Sequence, residues 1–278
     1  MSNSTELDIF ISYARRDNSD RRVSDLVALL VQTYRNLTDG EELKVFLDTT
    51  QVHGMDDWEH RLLGGLRAAQ LLVTFLSPSY FASRACHWEF DEYLKHEVSR
   101  SFLGEGIAPI YLVEVPGLMD NPVSELFDKK WVTELRRRQY FDVRPWADRI
   151  AAAQTDVDFM ARIEELARRI HQRLSRARKS VNSPGNVDRQ NGNFVGRNGE
   201  LRRLQELVRL NKLGILTAVH GLGGIGKTAL ATQYAYVFAH EYPAGRWKVE
   251  CEGHEDLRVA VRTYFTFSMS GSGHLLSK

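Results

Sequence analysis

Strand-like apolar segments alternate with amphipathic helical segments through the first 178 residues, and this alternation limits the possible folds. The five strand-like segments are residues 7–13, 43–48, 70–77, 107–115 and 139–144. Residues 70–77, QLLVTFLS, are almost continuously apolar, which is typical of a strand buried on both faces of a parallel sheet. Strands that alternate with helices predict a parallel sheet with helices on both faces. We therefore predict an α/β fold, a flavodoxin-like doubly wound sheet of five parallel strands.

The segments between the strands have apolar residues at helical spacing. The first helix has its apolar positions at Val23, Leu26, Val27, Leu30 and Tyr34. We predict one continuous helix from Pro78 to about Arg100, and a closing helix from Asp156 to about Arg178.

Ligands of open parallel sheets bind at the carboxyl ends of the strands, beside the point where the strand order reverses. The residues that follow the first two strands are therefore the predicted walls of a pocket. They are Tyr13, Ala14 and Arg15 after the first strand, and residues Asp48 to Gly54 after the second. Arg15 or Arg16 is suited to a diphosphate, although a solvated arginine fits the sequence equally well.

The overall composition argues against several classes of protein. The formal net charge is +1, so no global field attracts nucleic acid or an anionic membrane. The two cysteines, Cys86 and Cys251, lie far apart without a CxxC spacing, which argues against a disulfide scaffold and a zinc site. The N-terminus has no signal-peptide pattern, and no apolar stretch approaches the ~20 residues of a membrane span. We expect a soluble cytoplasmic protein that binds neither nucleic acid nor membrane.

The end of the last predicted helix, RRIHQRLSRARKS at 168–180, is strongly basic. A solvated helix face with cations at the favourable end of the helix dipole is the favoured interpretation. The alternative is a patch that binds anions or nucleic acid, but the run has no interleaved aromatic residues for base stacking.

A polar segment separates the first 178 residues from a second structured region. The segment VNSPGNVDRQNGN, at 181–193, is rich in Asn, Gly, Pro and Ser and predicts a linker, which we assign to residues 179–193. The remainder, 194–278, opens with a predicted helix whose apolar face is Leu201, Leu204, Leu207 and Val208. A strand, GILTAVHG, is predicted to follow it.

The sequence GLGGIGKT at 221–228 matches the phosphate-binding pattern GxxxxGK[ST], between an apolar strand and the predicted helix KTALATQYAYVFA. Gly221, Gly223, Gly224 and Gly226 allow backbone N–H groups to turn toward phosphate oxygens. Lys227 is predicted to reach the terminal phosphates, and the Thr228 hydroxyl to hold Mg²⁺. An intact domain of this kind binds ATP or ADP, whereas the alternative is a plain glycine-rich turn.

Hydrolysis by this second region is not expected. Phosphoryl transfer needs a further acidic residue on Mg²⁺, and the segment 256–278 has no apolar strand that ends in Asp. The segments FVGRNGELRRLQELV and GLGGIGKTALATQYA resemble the start of the STAND class of signalling ATPases, of the NB-ARC type. The resemblance covers 194 to about 250, so we expect an incomplete nucleotide-binding domain without ATPase activity.

A second resemblance covers roughly residues 6–178. The segments DIFISYARRD (8–17) and VFLDTTQVHGMDDWEHRLLGGLRAAQLLVTFLSPSYFASRACHWEFDEYL (45–94) resemble a TIR (Toll/interleukin-1 receptor) domain. The shared features are the first strand, a second strand that ends at Asp48, a loop with Gly54, and a SPSYFAS entry to a helix that carries Glu89.

The resemblance implies an activity and a set of site residues. Many TIR domains cleave NAD⁺ to nicotinamide and ADP-ribose or a cyclised product, with an essential glutamate at the end of the pattern S-x-W-C-x-x-E. Ser83, Cys86 and Glu89 occupy that pattern here, but Ala85 stands at the tryptophan position and His53-Gly54 replaces the usual Pro-Gly. Trp88, one turn away, is a candidate aromatic wall. The implied catalytic residue is Glu89, and the implied substrate-binding residues are Tyr13, Ala14, Arg15, Asp48, Gly54, Ser83, Cys86 and Trp88.

The chemistry of such a site is consistent with a single glutamate. The nicotinamide of NAD⁺ is cationic and leaves without protonation, so a carboxylate that stabilises the developing oxocarbenium charge is sufficient help. From its position alone, Glu89 is a surface glutamate on a helix, and only the surrounding motif favours a catalytic role. Cys86 is expected to be a small core residue rather than a nucleophile.

The resemblance also implies partners and a biological role. Such proteins act in immunity, including antiphage defence by NAD⁺ depletion, when a sensor drives the TIR domains to self-associate. The rival interpretation is a non-enzymatic TIR adaptor that binds other TIR domains through the same surfaces. Ala85 favours the adaptor, and the Ser83–Cys86–Glu89 frame favours the enzyme.

Overall fold

The computed structural model describes residues 7–48, 55–97, 104–118, 129–181, 184–187, 197–211, 227–242, 244–249, 256, 258, 259 and 261. Its sheet has five strands: β1 (Leu7–Ser12), β2 (Val45–Phe46), β3 (Ala69–Leu76), β4 (Ile107–Tyr111) and β5 (Phe141–Asp142). The strand order is β2-β1-β3-β4-β5 and every pair is parallel. The predicted flavodoxin-like α/β fold is confirmed.

All five predicted strands exist, but the edge strands β2 and β5 have two residues each, fewer than predicted. An edge strand has a hydrogen-bonded neighbour on one side only. Fewer of its residues are therefore paired than the length of the apolar segment suggests. The central strand β3 has seven of its eight residues buried, as the apolar run at 70–77 predicts.

Eight helices are described: α1 (Arg22–Leu37), α2 (Met55–Ala68), α3 (Pro78–Ala82), α4 (Arg84–His96), α5 (Lys129–Arg136), α6 (Val157–Val181), α7 (Asn198–Asn211) and α8 (Lys227–Val237). The single helix predicted from Pro78 is wrong, because the chain is extended at Ser83 (ψ 118°). The Ser83 hydroxyl accepts a hydrogen bond from the Cys86 amide at 3.3 Å, so it ends α3 and caps α4. The closing helix α6 runs three residues beyond Arg178, into the segment assigned to the linker.

Alternate residues of the strands supply two hydrophobic cores, one on each face of the sheet. Ile9 and Ile11 of β1 belong to the core beneath α1 and α6. Phe10, between them, belongs to the core beneath α2, α4 and α5. All five apolar positions predicted for α1 are buried in the first of these cores.

The described part of the second region is a helical pair. Leu201 and Leu204 of α7 pack against Leu230 and Tyr234 of α8, and α6 also contacts α8. Leu207, predicted to lie on the apolar face of α7, is 36% exposed. None of the described helices is long and apolar enough to cross a membrane.

Candidate functional site

A pocket of about 320 Å³ lies at the carboxyl ends of β1 and β2, and the order of the strands reverses beside it, between β1 and β3. Its lining residues are Phe10, Ile11, Tyr13, Arg15, Asp48, Leu62, Ser83, Ala85 and Glu89. The lining combines an apolar floor from β1 and α2 with a few polar groups. Such a combination is typical of a small-molecule site in this class of sheet.

Glu89 is the carboxylate of this pocket and is only 7% exposed. It lies in the second turn of α4, beside Phe90, which is fully buried against the sheet. Because this face of α4 packs onto the sheet, the neighbouring Glu89 side chain lies close to the end of β1. Ser12 Oγ, the last side chain of β1, donates a hydrogen bond of 2.6 Å to Glu89 Oε2.

Burial raises the pKa of Glu89 from its ordinary value of 4.5 to about 7. The hydrogen bond from Ser12 lowers this pKa, the charge of Asp48 raises it, and the charge of Arg15 lowers it. Desolvation raises the pKa by more than Ser12 and Arg15 lower it, because the buried carboxylate loses much of its hydration. Near pH 7 the Glu89 carboxyl is thus divided between its charged and neutral forms.

Asp48 connects three elements at the mouth of the pocket. Its carboxylate lies 2.8 Å from Arg61 Nη2 of α2 and 3.5 Å from Arg15 Nη2. The Tyr13 hydroxyl donates to the Asp48 carbonyl oxygen at 2.7 Å. These contacts hold the chain after β1 close to the chain after β2, and Arg15 is the cationic group that lines the pocket with Glu89.

Cys86, one of the predicted substrate-binding residues, is a core residue that is 2% exposed and does not line the pocket. Burial first, and the charge of Glu89 second, raise the pKa of its thiol to about 12. The thiol stays protonated at neutral pH, which agrees with a core residue and not with a nucleophile. Ser83, by contrast, both caps α4 and lines the pocket.

Not every predicted site residue reaches the pocket. Ala14 is buried in the core beneath α2 and α4 and does not line the pocket. Trp88, the predicted aromatic wall, is 37% exposed and does not line this pocket. Trp88 lies one position before Glu89, and a step of about 100° around the helix moves it off the pocket face. Gly54 lies outside the described residues.

Ser12 is not predicted from the sequence; it does not line the pocket but donates a hydrogen bond to Glu89, 77 positions away. Three of the lining residues are also missed. Phe10, Ile11 and Leu62 looked like ordinary core positions. The signal for Ser12 was available, because a hydroxyl within an otherwise apolar buried strand requires a partner.

The phosphate-binding pattern lies mostly beyond the described residues, which include neither Gly221, Gly223, Gly224 nor Gly226. The helix α8 begins at Lys227, as the pattern requires, and Thr228 is exposed in its first turn. The predicted nucleotide site therefore stays a prediction.

Comparison with protein families matches a family described as TIR domain to residues 9–156. This range is 148 of the 278 residues, and it contains all five strands except the start of β1, together with Glu89. No curated protein matches the sequence.

Proposed function

Because the chain belongs to the TIR-domain family, we propose that its first domain cleaves NAD⁺ at the bond between nicotinamide and ribose. The supporting observation is the Glu89 carboxylate, which is buried, held by Ser12 and placed in the wall of the pocket at the end of β1. A carboxylate in such surroundings acts strongly on a developing positive charge, because little water screens it.

The reaction breaks the bond between C1′ of the ribose and the nicotinamide ring nitrogen. The electron pair of this bond stays with the nicotinamide, which leaves as a neutral molecule. Ionised Glu89 stabilises the positive charge that develops on C1′ and the ring oxygen. A water molecule then adds to C1′ and loses a proton to solvent, giving ADP-ribose; attack by a nitrogen of the adenine ring gives the cyclised product instead.

The volume of the pocket agrees with the nicotinamide end of NAD⁺. About 320 Å³ is near the lower limit for small-molecule sites, and nicotinamide riboside is a better match to it than the whole dinucleotide. Ala85 in the wall has only a methyl group, which leaves room beside Glu89. Arg15, whose side chain is 59% exposed at the mouth, is placed to meet the diphosphate.

The second region is proposed to be the beginning of a nucleotide switch of the NB-ARC type. Lys227 and Thr228 would hold the phosphates and Mg²⁺ of ATP or ADP. In this proposal the switch controls self-association of the TIR domains, and NAD⁺ cleavage is the effector step of an immune response such as antiphage defence.

A non-enzymatic adaptor is the second candidate. The exposed indole of Trp88, on the helix that also carries Glu89, is the observation that favours it. Large aromatic residues are enriched in the cores of protein–protein interfaces.

Nicotinamide release from NAD⁺ by the purified chain, measured over a range of protein concentrations, tests the enzyme. We expect release that rises steeply with concentration and falls about 10²–10³-fold in Glu89→Ala, as for loss of a single electrostatic stabiliser. Glu92→Ala is the matched control, since Glu92 lies one turn further along α4, outside the pocket lining, and pairs with Lys95 at 3.0 Å. Equal release from the wild type and Glu89→Ala would exclude Glu89, and no release from a folded wild type would favour the adaptor.

A further inference from the structure

A chain of hydrogen bonds runs from Tyr80 through Ser12 to Glu89. Ser12 Oγ lies 2.6 Å from Glu89 Oε2 and 3.1 Å from the Tyr80 hydroxyl. Ser12 and Tyr80 are fully buried, at 0% exposure. The three side chains come from β1, α3 and α4, so the contact is formed only when these elements pack together.

The direction of the chain follows from the chemistry of its ends. An ionised Glu89 only accepts hydrogen bonds, so the single proton of the Ser12 hydroxyl points to the carboxylate. The Ser12 oxygen is then left as an acceptor for the Tyr80 hydroxyl. Tyr80 keeps its proton, because complete burial raises its pKa well above 10. The order is therefore Tyr80 to Ser12 to Glu89.

Both donors are fixed by the fold. Ser12 ends β1 and lies in register with Thr74 of β3. The Tyr80 amide donates to Ser77 Oγ at 3.0 Å in the first turn of α3, and its ring stacks on Trp131 at 5.9 Å between centroids. Neither side chain is free to follow Glu89 if Glu89 moves.

We propose that Ser12, held by Tyr80, is a positioning residue that fixes the Glu89 carboxylate and favours its charged form in the NAD⁺ cleavage proposed above. This inference rests on that proposed function. With Oε2 engaged by Ser12, Oε1 is the oxygen left for the substrate, since none of the described residues donates to it.

The other groups around Glu89 do not replace this contact. The charged groups are Arg15 after β1 and Asp48 after β2, and they act on Glu89 through their charges with opposite signs. Tyr13, Tyr80 and Cys86 are neutral at pH 7, since burial raises the pKa of each. Without the Ser12 hydroxyl, the carboxylate therefore remains desolvated and lacks its described donor.

The test compares Ser12→Ala, Tyr80→Phe and the control Tyr93→Phe. Tyr93 is another fully buried tyrosine of the same core, but its hydroxyl donates to the Gln70 carbonyl. The Glu89 carboxyl is titrated by ¹³C NMR, with Glu89→Gln to assign its signal, and the pH profile of kcat is measured for each variant. Ser12→Thr, which keeps the hydroxyl, serves as the rescue.

Ser12→Ala is expected to raise the titration midpoint of Glu89 by about one to two pH units, the range for loss of a hydrogen bond to a charged group. Tyr80→Phe should raise it by less, and Tyr93→Phe should leave it unchanged. The acidic limb of kcat should move by the same amounts while KM changes little. Ser12→Thr should restore the wild-type midpoint.

An unchanged midpoint in folded Ser12→Ala overturns the positioning role even if the wild type cleaves NAD⁺. If Ser12→Ala does not fold, Tyr80→Phe decides in the same way. A wild type that releases no nicotinamide overturns the catalytic half of the inference together with the proposed function. The NMR midpoints would separate that failure from a failure of the Ser12 contact.

Discussion

At the scale of single residues, Glu89 is expected to destabilise the fold whenever it is charged. Its pKa is about 7 in the folded protein and 4.5 in the unfolded chain, so the folded state binds more protons between these values. The contribution of Glu89 to stability is therefore fully present below about pH 4.5 and is lost as the pH rises through 7. The difference between the two pKa values corresponds to at most ~3 kcal/mol. We predict that Glu89→Gln raises the free energy of unfolding by ~1–3 kcal/mol at pH 8 and by little at pH 5, as measured by urea denaturation.

Glu92→Gln is a control for which the expected change in stability at pH 8 has the opposite sign. Burial alone would raise the pKa of Glu92, but its hydrogen bond and ion pair with Lys95 outweigh burial and lower the pKa. Its charged form contributes stability that is present above pH 4.5 and is lost as the pH falls, so Glu92→Gln should lose stability at pH 8. A Glu89→Gln variant that is less stable than the wild type at pH 8 would contradict the burial argument.

The residues of the site could be predicted where a motif marks them. Glu89, Ser83, Tyr13, Arg15 and Asp48 follow from the resemblance and from the rule for strand ends, and all five line the pocket. The Ser12–Glu89 contact joins positions 77 apart, and no local pattern records it. Trp88 does not line the pocket, because proximity in sequence to Glu89 does not give the direction of a side chain on a helix.

At the scale of elements, a buried ion pair connects the end of α4 to the rest of the fold. Glu97, directly after α4, accepts 2.7 Å from Arg138 Nη2 and 2.8 Å from the Gly106 amide before β4. Both charged side chains are 1% exposed. Arg138→Met leaves the Glu97 carboxylate buried without its cation, and we predict a loss of ~3–5 kcal/mol in the free energy of unfolding.

The double variant Glu97→Leu/Arg138→Met removes both charges and should recover most of this loss. Arg137→Met is the surface control: its side chain is 55% exposed and its pair with Glu134 should contribute no more than ~1 kcal/mol. If Arg138→Met is no more destabilising than Arg137→Met in urea, the pair does not hold α4 in place.

The number of strands could be predicted because the spacing of apolar residues along the chain reflects which side chains are buried. The break between α3 and α4 could not, since Ser83 ends one helix and caps the next within an unbroken helical pattern. The helix α5 was also missed: it has eight residues, and its buried residues Trp131, Val132 and Leu135 give too short a pattern to distinguish from a loop.

At the scale of the whole molecule, the described cores divide at the end of α6. Both sheet cores are composed of residues between Leu7 and Ala177, and the α7–α8 core has only residues from 201 to 242. The regions touch where α6 meets α8 and the 3-10 turn Ala239–Glu241. A contact of this kind makes the stability of one region less dependent on the other than a shared core would, because the core clusters lie within each region.

We therefore predict that the segment 1–181, which ends with α6, folds alone and keeps the nicotinamide release of the whole chain at equal concentration. Its urea transition should remain cooperative, with a lower slope because less surface is exposed on unfolding. Lys227→Ala in the whole chain is the companion variant, and it should leave release unchanged if the second region does not take part in the chemistry.

Loss of the cooperative transition in 1–181 would show that the contact of α6 with α8 is part of the fold of the first domain. Loss of release with a retained transition would instead show that the second region is needed to assemble the site, and self-association measured on both proteins would locate that need.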